Sequence, residues 1–179
     1  KNDAIAGGIV FIGKLEDCYR ANISSRIANR IIMRLSSFKA LYKDELFNKC
    51  ESFPWELYLK KNCPCEFSIT CHKSKLYHTE MIKDIFTKAI NQRLQQCGSE
   101  SGVNNDSEIL SNEKQLIFIR FYKDTCTISL DSSGELLYKR NKKIYEGSAN
   151  IRETIVAAIL HESKIYNYDV LLDLMCGSG

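Results

Sequence analysis

Residues 116–130 read LIFIRFYKDTCTISL, in which the β-rich runs Leu116–Tyr122 and Thr125–Leu130 are joined by Lys123-Asp124. Two runs of β-branched and aromatic residues around a short polar connection predict a β-hairpin. Upstream, Cys65–Cys71 alternates apolar and polar residues, a pattern that predicts one more half-buried strand. Because stretches with helical periodicity separate the strands, the sequence predicts an α/β fold class.

The other elements are predicted from hydrophobic periodicity and from turn residues. Leu15–Leu35 carries apolar residues at every fourth position from Leu15 to Ile31, which predicts one long helix with a single apolar stripe. Pro54 is predicted in the first turn of a short helix. Further helices are predicted over Asp44–Cys50 with Asp44 as N-cap, Tyr77–Gln96 and Ile151–Ser163, and further strands over Gly7–Gly13, Leu136–Arg140 and Val170–Asp173.

The composition fits a folded protein but does not identify a partner. Apolar residues make up 44% of the 179 residues, and the net charge of +3 is only mildly basic. No stretch approaches the roughly 20 apolar residues that span a bilayer, and no signal-peptide pattern opens the chain. Most of the eight cysteines are scattered singly, which predicts a reduced, cytoplasmic protein that does not associate with membranes.

The last residues, Asp173–Gly179, follow an apolar run with an acid and a glycine-containing loop. Glycines at the carboxyl end of a strand let the backbone turn tightly and let a ligand approach its N–H groups. In Rossmann-like folds this edge binds nucleotide-type cofactors, although an ordinary βα turn has the same pattern. Because the chain stops here and starts without Met, both termini are interpreted as boundaries within a longer protein.

Several segments in order resemble S-adenosylmethionine-dependent methyltransferases with a THUMP domain. Leu172–Gly179 resembles their D-P-M-C-G-S-G-T motif, with Leu174 in place of Pro. Leu130–Arg140 resembles L-D-x-S-G-x-x-L-H-x-R, and Ile151–Ala158 resembles I-[RK]-E-T-L-A-A-A. The THUMP portion is matched by Gly7–Phe11, Ser25–Ile31 and Phe53–Trp55. The chain thus resembles the bacterial 23S rRNA guanine-N2 methyltransferases, which are often labelled N6-adenine-specific DNA methylases.

The resemblance implies a division into a THUMP-like RNA-binding domain (1–138), a basic linker (139–150) and the first helix and strand of a Rossmann-like methyltransferase domain (151–179). A small ferredoxin-like piece precedes the THUMP domain in the family, and most of it is expected to be missing. The implied cofactor is S-adenosylmethionine, bound by Asp173, Cys176, Gly177, Ser178 and Gly179.

The family's Asn/Asp-Pro-Pro-Tyr motif, which holds the target amino group, cannot be present because Pro54 and Pro64 are the only prolines. The chain is therefore expected to contain no catalytic residue and to be inactive by itself, although the parent protein would be an RNA methyltransferase.

The expected partner is structured RNA, specifically ribosomal RNA, which requires a basic surface. The candidate contacts are Lys73 and Lys75, near His72 and Tyr77, and a linker cluster of Lys139, Arg140, Lys142 and Lys143. The alternative for each lysine is an ordinary solvated position. Trp55 could stack on a base, but beside Pro54 it is interpreted as a core residue.

Two other functions remain as alternatives, and a zinc site has also to be considered. The chain could be a stand-alone, non-catalytic RNA-binding module, or part of a DNA adenine-N6 methylase. Cys63, Cys65, Cys71 and His72 carry zinc-ligand chemistry. The strand predicted between Cys65 and Cys71 would separate them by about 20 Å, so no metal is expected.

Overall fold

The computed structural model describes residues 3–5, 7–60, 63–97, 114–140 and 151–174. They divide into two compact units, one formed by Ile32–Asp131 and the other by the segments that precede and follow it. Helices and strands are mixed throughout, which confirms the α/β fold class. In chain order the elements are β1 (Asp3–Ile5), β2 (Gly8–Val10), α1 (Leu15–Ser24), β3 (Ile32–Lys39), α2 (Lys43–Glu51), β4 (Cys65–His72), α3 (Thr79–Cys97), β5 (Gln115–Tyr122), β6 (Thr125–Asp131) and α4 (Glu153–Glu162).

The Ile32–Asp131 unit is built on a four-stranded sheet in the order β3-β6-β5-β4. β6 is antiparallel to both neighbours, whereas β4 and β5 are parallel and are connected through α3. The predicted hairpin is confirmed as β5 and β6. Lys123 and Asp124 at its turn have φ of 48° and 62°, the left-handed backbone that a two-residue hairpin turn uses to match the strand twist.

One face of this sheet forms the core. Ile117, Ile119 and Phe121 alternate along β5 and are fully buried, as is Phe86 of α3. Trp55 starts a short 3-10 helix, is fully buried, and donates its Nε1–H to the carbonyl of Cys50 (2.7 Å). The interpretation of Trp55 as a core residue is confirmed.

The long helix predicted over Leu15–Leu35 is wrong in its second half. α1 ends at Ser24, Ser25 is extended, and Ile32–Lys39 is the strand β3. The four-residue spacing of apolar residues extends beyond the end of α1, but it does not make the next segment helical. Ile32–Lys39 pairs with β6 instead, and this pairing outweighs helix propensity. The part of the apolar stripe that lies on α1 is not buried, since α1 contains no buried residue.

Three smaller predictions are wrong as well. Tyr42, not Asp44, precedes α2, and Asp44 lies in its first turn, where a carboxylate still interacts favourably with the helix dipole. Leu137–Arg140 is a 3-10 helix that buries Leu137, so the strand predicted over Leu136–Arg140 is not formed. Val170–Asp173 forms no strand, because none of the described strands pairs with it.

The cysteines of the Ile32–Asp131 unit differ in accessibility. Cys50 and Cys126 are fully buried, and burial raises the pKa of both thiols, that of Cys126 to about 12. Cys63 is only half-buried. Because the thiolate is the reactive form, iodoacetamide at pH 8 should label Cys63 well before Cys50 or Cys126.

Peptide mapping by mass spectrometry over a time course measures this order. In urea the three cysteines should react alike, since unfolding removes the burial. Labelling of Cys126 as fast as Cys63 in the native protein would contradict the packing.

Candidate nucleic-acid interface

Asp124 joins three segments at one end of the four-stranded sheet. The backbone N–H of Ala40, directly after β3, donates to the carbonyl of Asp124 (2.9 Å). The Asp124 carboxylate accepts from the backbone N–H of Lys75 (2.6 Å), and the Asp124 N–H donates to Ser74 Oγ (3.0 Å). The β5–β6 turn is thereby fastened to both the end of β3 and the loop that follows β4.

Lys73 and Lys75, two of the predicted RNA contacts, lie in this loop with exposed side chains. Lys73 has φ of 49°, so the chain turns sharply as it leaves β4. Lys75 Nζ lies 4.2 Å from the centroid of the Tyr42 ring, within the range of a cation–π interaction.

A second group of rings lies beside the lysines. His72 and Tyr122 are neighbours on the parallel strands β4 and β5, and their rings stack at 5.8 Å between centroids with 4° between planes. Lys123 Nζ lies 5.5 Å from the centroid of the Tyr122 ring. We use the name loop-end cluster for Tyr42, His72, Lys73, Lys75, Tyr122 and Lys123.

The loop-end cluster combines positive charge with exposed aromatic side chains. Tyr42 is 61% exposed and Tyr122 is 44% exposed. Lysines can neutralise phosphates, and exposed rings can stack on bases.

The backbone next to Tyr42 is also held in place by α2, since the Glu45 carboxylate accepts from Lys49 Nζ (2.6 Å) and from the Leu41 N–H (2.9 Å). The hydrogen bond from Lys49 and that from Leu41 lower the pKa of Glu45.

Replacing Asp124 by glycine tests whether its carboxylate holds the loop. Glycine keeps the left-handed backbone, so the change removes the hydrogen bond to the Lys75 N–H with little backbone strain. We expect about 1 kcal/mol less stability and faster amide hydrogen exchange at Lys75. Asp124→Asn should retain most of the protection, because its amide oxygen can still accept. Unchanged exchange in Asp124→Gly would show that the loop is held by other contacts.

Arg140, predicted to bind RNA from the linker, lies in the unit formed by the outer segments of the chain. Its guanidinium donates to four backbone carbonyls at 2.5–3.0 Å. These belong to Leu137, Asn22, Ile23 and Ser25, and the last three lie at the C-terminal end of α1. Lys139 is exposed beside it. Lys142 and Lys143 lie outside the described residues.

Of the predicted cofactor loop, Asp173–Gly179, the structure describes only Asp173 and Leu174. Asp173 is exposed and lies outside any helix or strand. Cys176, Gly177, Ser178 and Gly179 lie outside the described residues, so the fit of a cofactor rests on the sequence alone.

The strand between Cys65 and Cys71 is confirmed as β4, whose length places the two thiols about 20 Å apart. Among the described side chains, no group of three or more His, Cys, Asp or Glu could hold a metal ion. No helix within the described ranges is long and apolar enough to cross a membrane.

The sequence does not single out Tyr42, Tyr122 and Lys123 as site residues. The sequence predicts the Lys123-Asp124 turn, but the position of this turn beside Lys73 follows from the parallel pairing of β4 with β5. That pairing joins strands separated by α3, and no local pattern reveals it. Tyr42 reaches the same end because β3 replaces the second half of the predicted helix.

Comparison with known families matches residues 3–32 to the RlmL ferredoxin-like domain and residues 42–131 to the THUMP domain. The chain belongs to the THUMP family. The THUMP match runs from residue 42 to residue 131 and therefore includes every residue of the loop-end cluster.

The relatives of this THUMP chain include proteins described as methyltransferases. It is 34% identical over 181 residues to a ribosomal RNA large subunit methyltransferase K/L of Psychromonas ingrahamii, covering 97% of this chain and 22% of that protein. A crystal structure from Listeria monocytogenes, described as a predicted N6-adenine-specific DNA methylase, is 33% identical with a TM-score of 0.70, covering 83% of this chain and 38% of that one.

A third relative, SMU.472, was solved in complex with SAH. It is 29% identical with a TM-score of 0.66, over 92% of this chain and 41% of that one. The THUMP chain thus spans less than half the length of each of these three relatives.

Proposed function

We propose that this chain is the RNA-recognition part of an S-adenosylmethionine-dependent RNA methyltransferase that modifies guanine N2 in ribosomal RNA. The loop-end cluster is the observation that carries the proposal, since it places three lysines and exposed rings on the segment that matches the THUMP domain. The relative described as a ribosomal RNA methyltransferase supports the choice of RNA over other polyanions.

The proposal assigns recognition to residues 1–138, connection to 139–150 and the start of a methyltransferase domain to 151–179. S-Adenosylmethionine would supply the methyl group, with Asp173 and the Cys176–Gly179 backbone beside it. The chain by itself would not transfer a methyl group, because it contains no Pro-Pro sequence to hold the target amino group. A cytoplasmic location remains a prediction.

The loop-end cluster would bind RNA chiefly through its lysines and the phosphates. Neutralising phosphates releases counterions, so such binding weakens steeply as salt rises. Lys73, Lys75 and Lys123 supply the charge, and Asp124, the acid among them, uses its carboxylate on the Lys75 N–H. The rigid attachment of the loop reduces the entropy that binding would otherwise cost.

Replacing Lys73 and Lys75 together by glutamine should weaken RNA binding without unfolding the protein. We expect affinity for a structured ribosomal RNA fragment to fall about three- to tenfold. The slope of log affinity against log salt should become shallower by about 0.7 to 0.9 for each phosphate that the variant no longer neutralises.

Filter binding across a salt series measures both quantities for this variant. Lys88→Gln is the matched control, because Lys88 is exposed on α3, on the other side of the sheet. Equal loss in the control and the double variant would show that net charge, not this cluster, determines binding.

A DNA adenine-N6 methylase is the second candidate, favoured by the description of the Listeria relative. The same filter assay with duplex DNA of matched sequence separates the two. Tighter binding of RNA than of DNA at every salt concentration supports the RNA proposal, and equal or tighter DNA binding contradicts it. Specific RNA binding by a full-length parent without methyl transfer would instead favour a non-catalytic module.

A further inference from the structure

The second face of the four-stranded sheet is not part of the core. Side chains alternate between the two faces of a strand, and the residues beside Ile117, Ile119 and Phe121 on β5 point the other way. The register places side chains of all four strands in rows across this open face. One row is His72, Tyr122, Thr125 and Lys39, and the next is Thr70, Arg120, Thr127 and Ser37.

The charges on the open face are unevenly distributed along the strands. Lys39 and Arg120 are exposed and lie in the half of the face that adjoins the loop-end cluster, and the exposed Arg34 lies one row farther along, opposite Ser129. The acids Glu66 and Asp131 lie at the opposite ends of β4 and β6. Among the strand residues that the structure describes, the half of the face that adjoins the loop-end cluster is therefore positive and contains no carboxylate.

The guanidiniums of Arg120, on this half, and of Arg34, one row beyond it, are available to a ligand. Neither the Arg34 nor the Arg120 guanidinium has a hydrogen bond or ion pair to any part of the chain that the structure describes. In the row of Arg120, the hydroxyls of Ser37 on β3 and Thr127 on β6 lie 3.3 Å apart and provide further donors and acceptors. Arginine is well suited to phosphate because its planar fork can donate two parallel hydrogen bonds.

We propose that a single-stranded RNA segment lies across this positive half of the open face and the adjoining row of Arg34, continuous with the loop-end cluster. Arg34 and Arg120 bind its phosphates, and a base stacks on the Tyr122 ring beside His72. This inference rests on the proposed RNA-recognition function and names the form of RNA that the domain takes. Stacking aromatic residues of a four-stranded sheet against unpaired bases is an established mode of single-strand recognition.

A double-stranded RNA fits this surface less well. Its bases are paired and stacked inside the helix, so the partly exposed Tyr122 ring would find no unpaired base to stack on. Its recognition depends on contacts to phosphates and 2′-hydroxyls spaced along a rigid helix. Arg34 on β3 and Arg120 on β5 are separated by the width of three strands, about 10 Å. A short, flexible single strand of RNA can place phosphates at this distance.

Fluorescence anisotropy with a labelled 12-nucleotide single-stranded RNA and the duplex of the same sequence tests the inference on the 179-residue chain. In Arg34→Gln/Arg120→Gln, the salt slope for the single strand should fall by about 0.7 for each phosphate left without its arginine. Tyr122→Ala should weaken single-strand binding about fivefold or more and leave duplex binding unchanged. Lys88→Gln should change neither, and circular dichroism checks that each variant is folded.

The outcomes separate this inference from the function on which it rests. The sheet-face variants are Arg34→Gln/Arg120→Gln and Tyr122→Ala. If Lys73→Gln/Lys75→Gln weakens RNA binding and the sheet-face variants do not weaken it, the open face is not a binding site, although the proposed function stands. If the sheet-face variants weaken duplex binding as much as single-strand binding, the occupant is a duplex and the inference is wrong. If the unmodified chain binds neither 12-nucleotide RNA, the inference fails, and if it also fails to bind the structured ribosomal RNA fragment, the proposed function fails with it.

Discussion

Replacing Trp55 by alanine should remove most of the stability of the Ile32–Asp131 unit. The indole is fully buried, packs edge-on against Phe53 and Phe86, and donates its N–H to the Cys50 carbonyl. Truncating a buried Trp or Phe to alanine costs about 3–5 kcal/mol, because packing is lost and a cavity is left. Since whole domains have about 5–15 kcal/mol of stability, the variant should be marginally folded.

Urea unfolding followed by far-ultraviolet circular dichroism measures this loss, because the variant lacks the only tryptophan and its fluorescence. The midpoint should fall by more than about 1 M urea. Trp55→Phe is the control: it keeps a ring in the core, loses the hydrogen bond and should cost about 1–2 kcal/mol. A stable Trp55→Ala variant that had lost RNA affinity would instead make Trp55 a base-stacking residue.

The strands β4, β5 and β6 and the helix α3 could be predicted from the sequence because their signals are local and strong. The run at 116–130 has β-branched residues on both sides of a turn, and α3 has an apolar stripe over five turns. β3 could not be predicted in the same way. The apolar spacing over Leu15–Leu35 favours a helix there, whereas β3 forms because it pairs with β6. That pairing joins residues about a hundred positions apart in sequence, so no local pattern indicates it.

The binding surface was predictable only in part for a related reason. Lys73 and Lys75 stand out because they follow a strand and precede a helix with aromatic neighbours. Tyr122 looks like any strand residue until the parallel β4–β5 register places it beside His72. Arg34 and Arg120 reach one face only through the order of four strands. The resemblance to a family identifies the domain, but it does not assign these side chains to one surface.

Replacing Arg140 by alanine should loosen the end of α1. The guanidinium of Arg140 donates to the carbonyls of Asn22, Ile23 and Ser25 at the end of this helix, where carbonyls have no partner within the helix. A cation there also interacts favourably with the helix dipole. We expect a local loss of roughly 2 kcal/mol, which corresponds to roughly 30-fold faster amide exchange in the last turn of α1.

Arg140→Lys separates this positioning role from the RNA contact expected from the sequence. Lysine keeps the charge but cannot reproduce the planar fork that reaches several carbonyls at once. If Arg140 positions the 3-10 helix Leu137–Arg140 against α1, Arg140→Lys should exchange nearly as fast as Arg140→Ala. If Arg140 binds a phosphate instead, Arg140→Lys should retain RNA affinity, and Arg140→Ala should lose affinity with α1 still protected. Hydrogen exchange and filter binding on the same three proteins therefore decide which role the four hydrogen bonds serve.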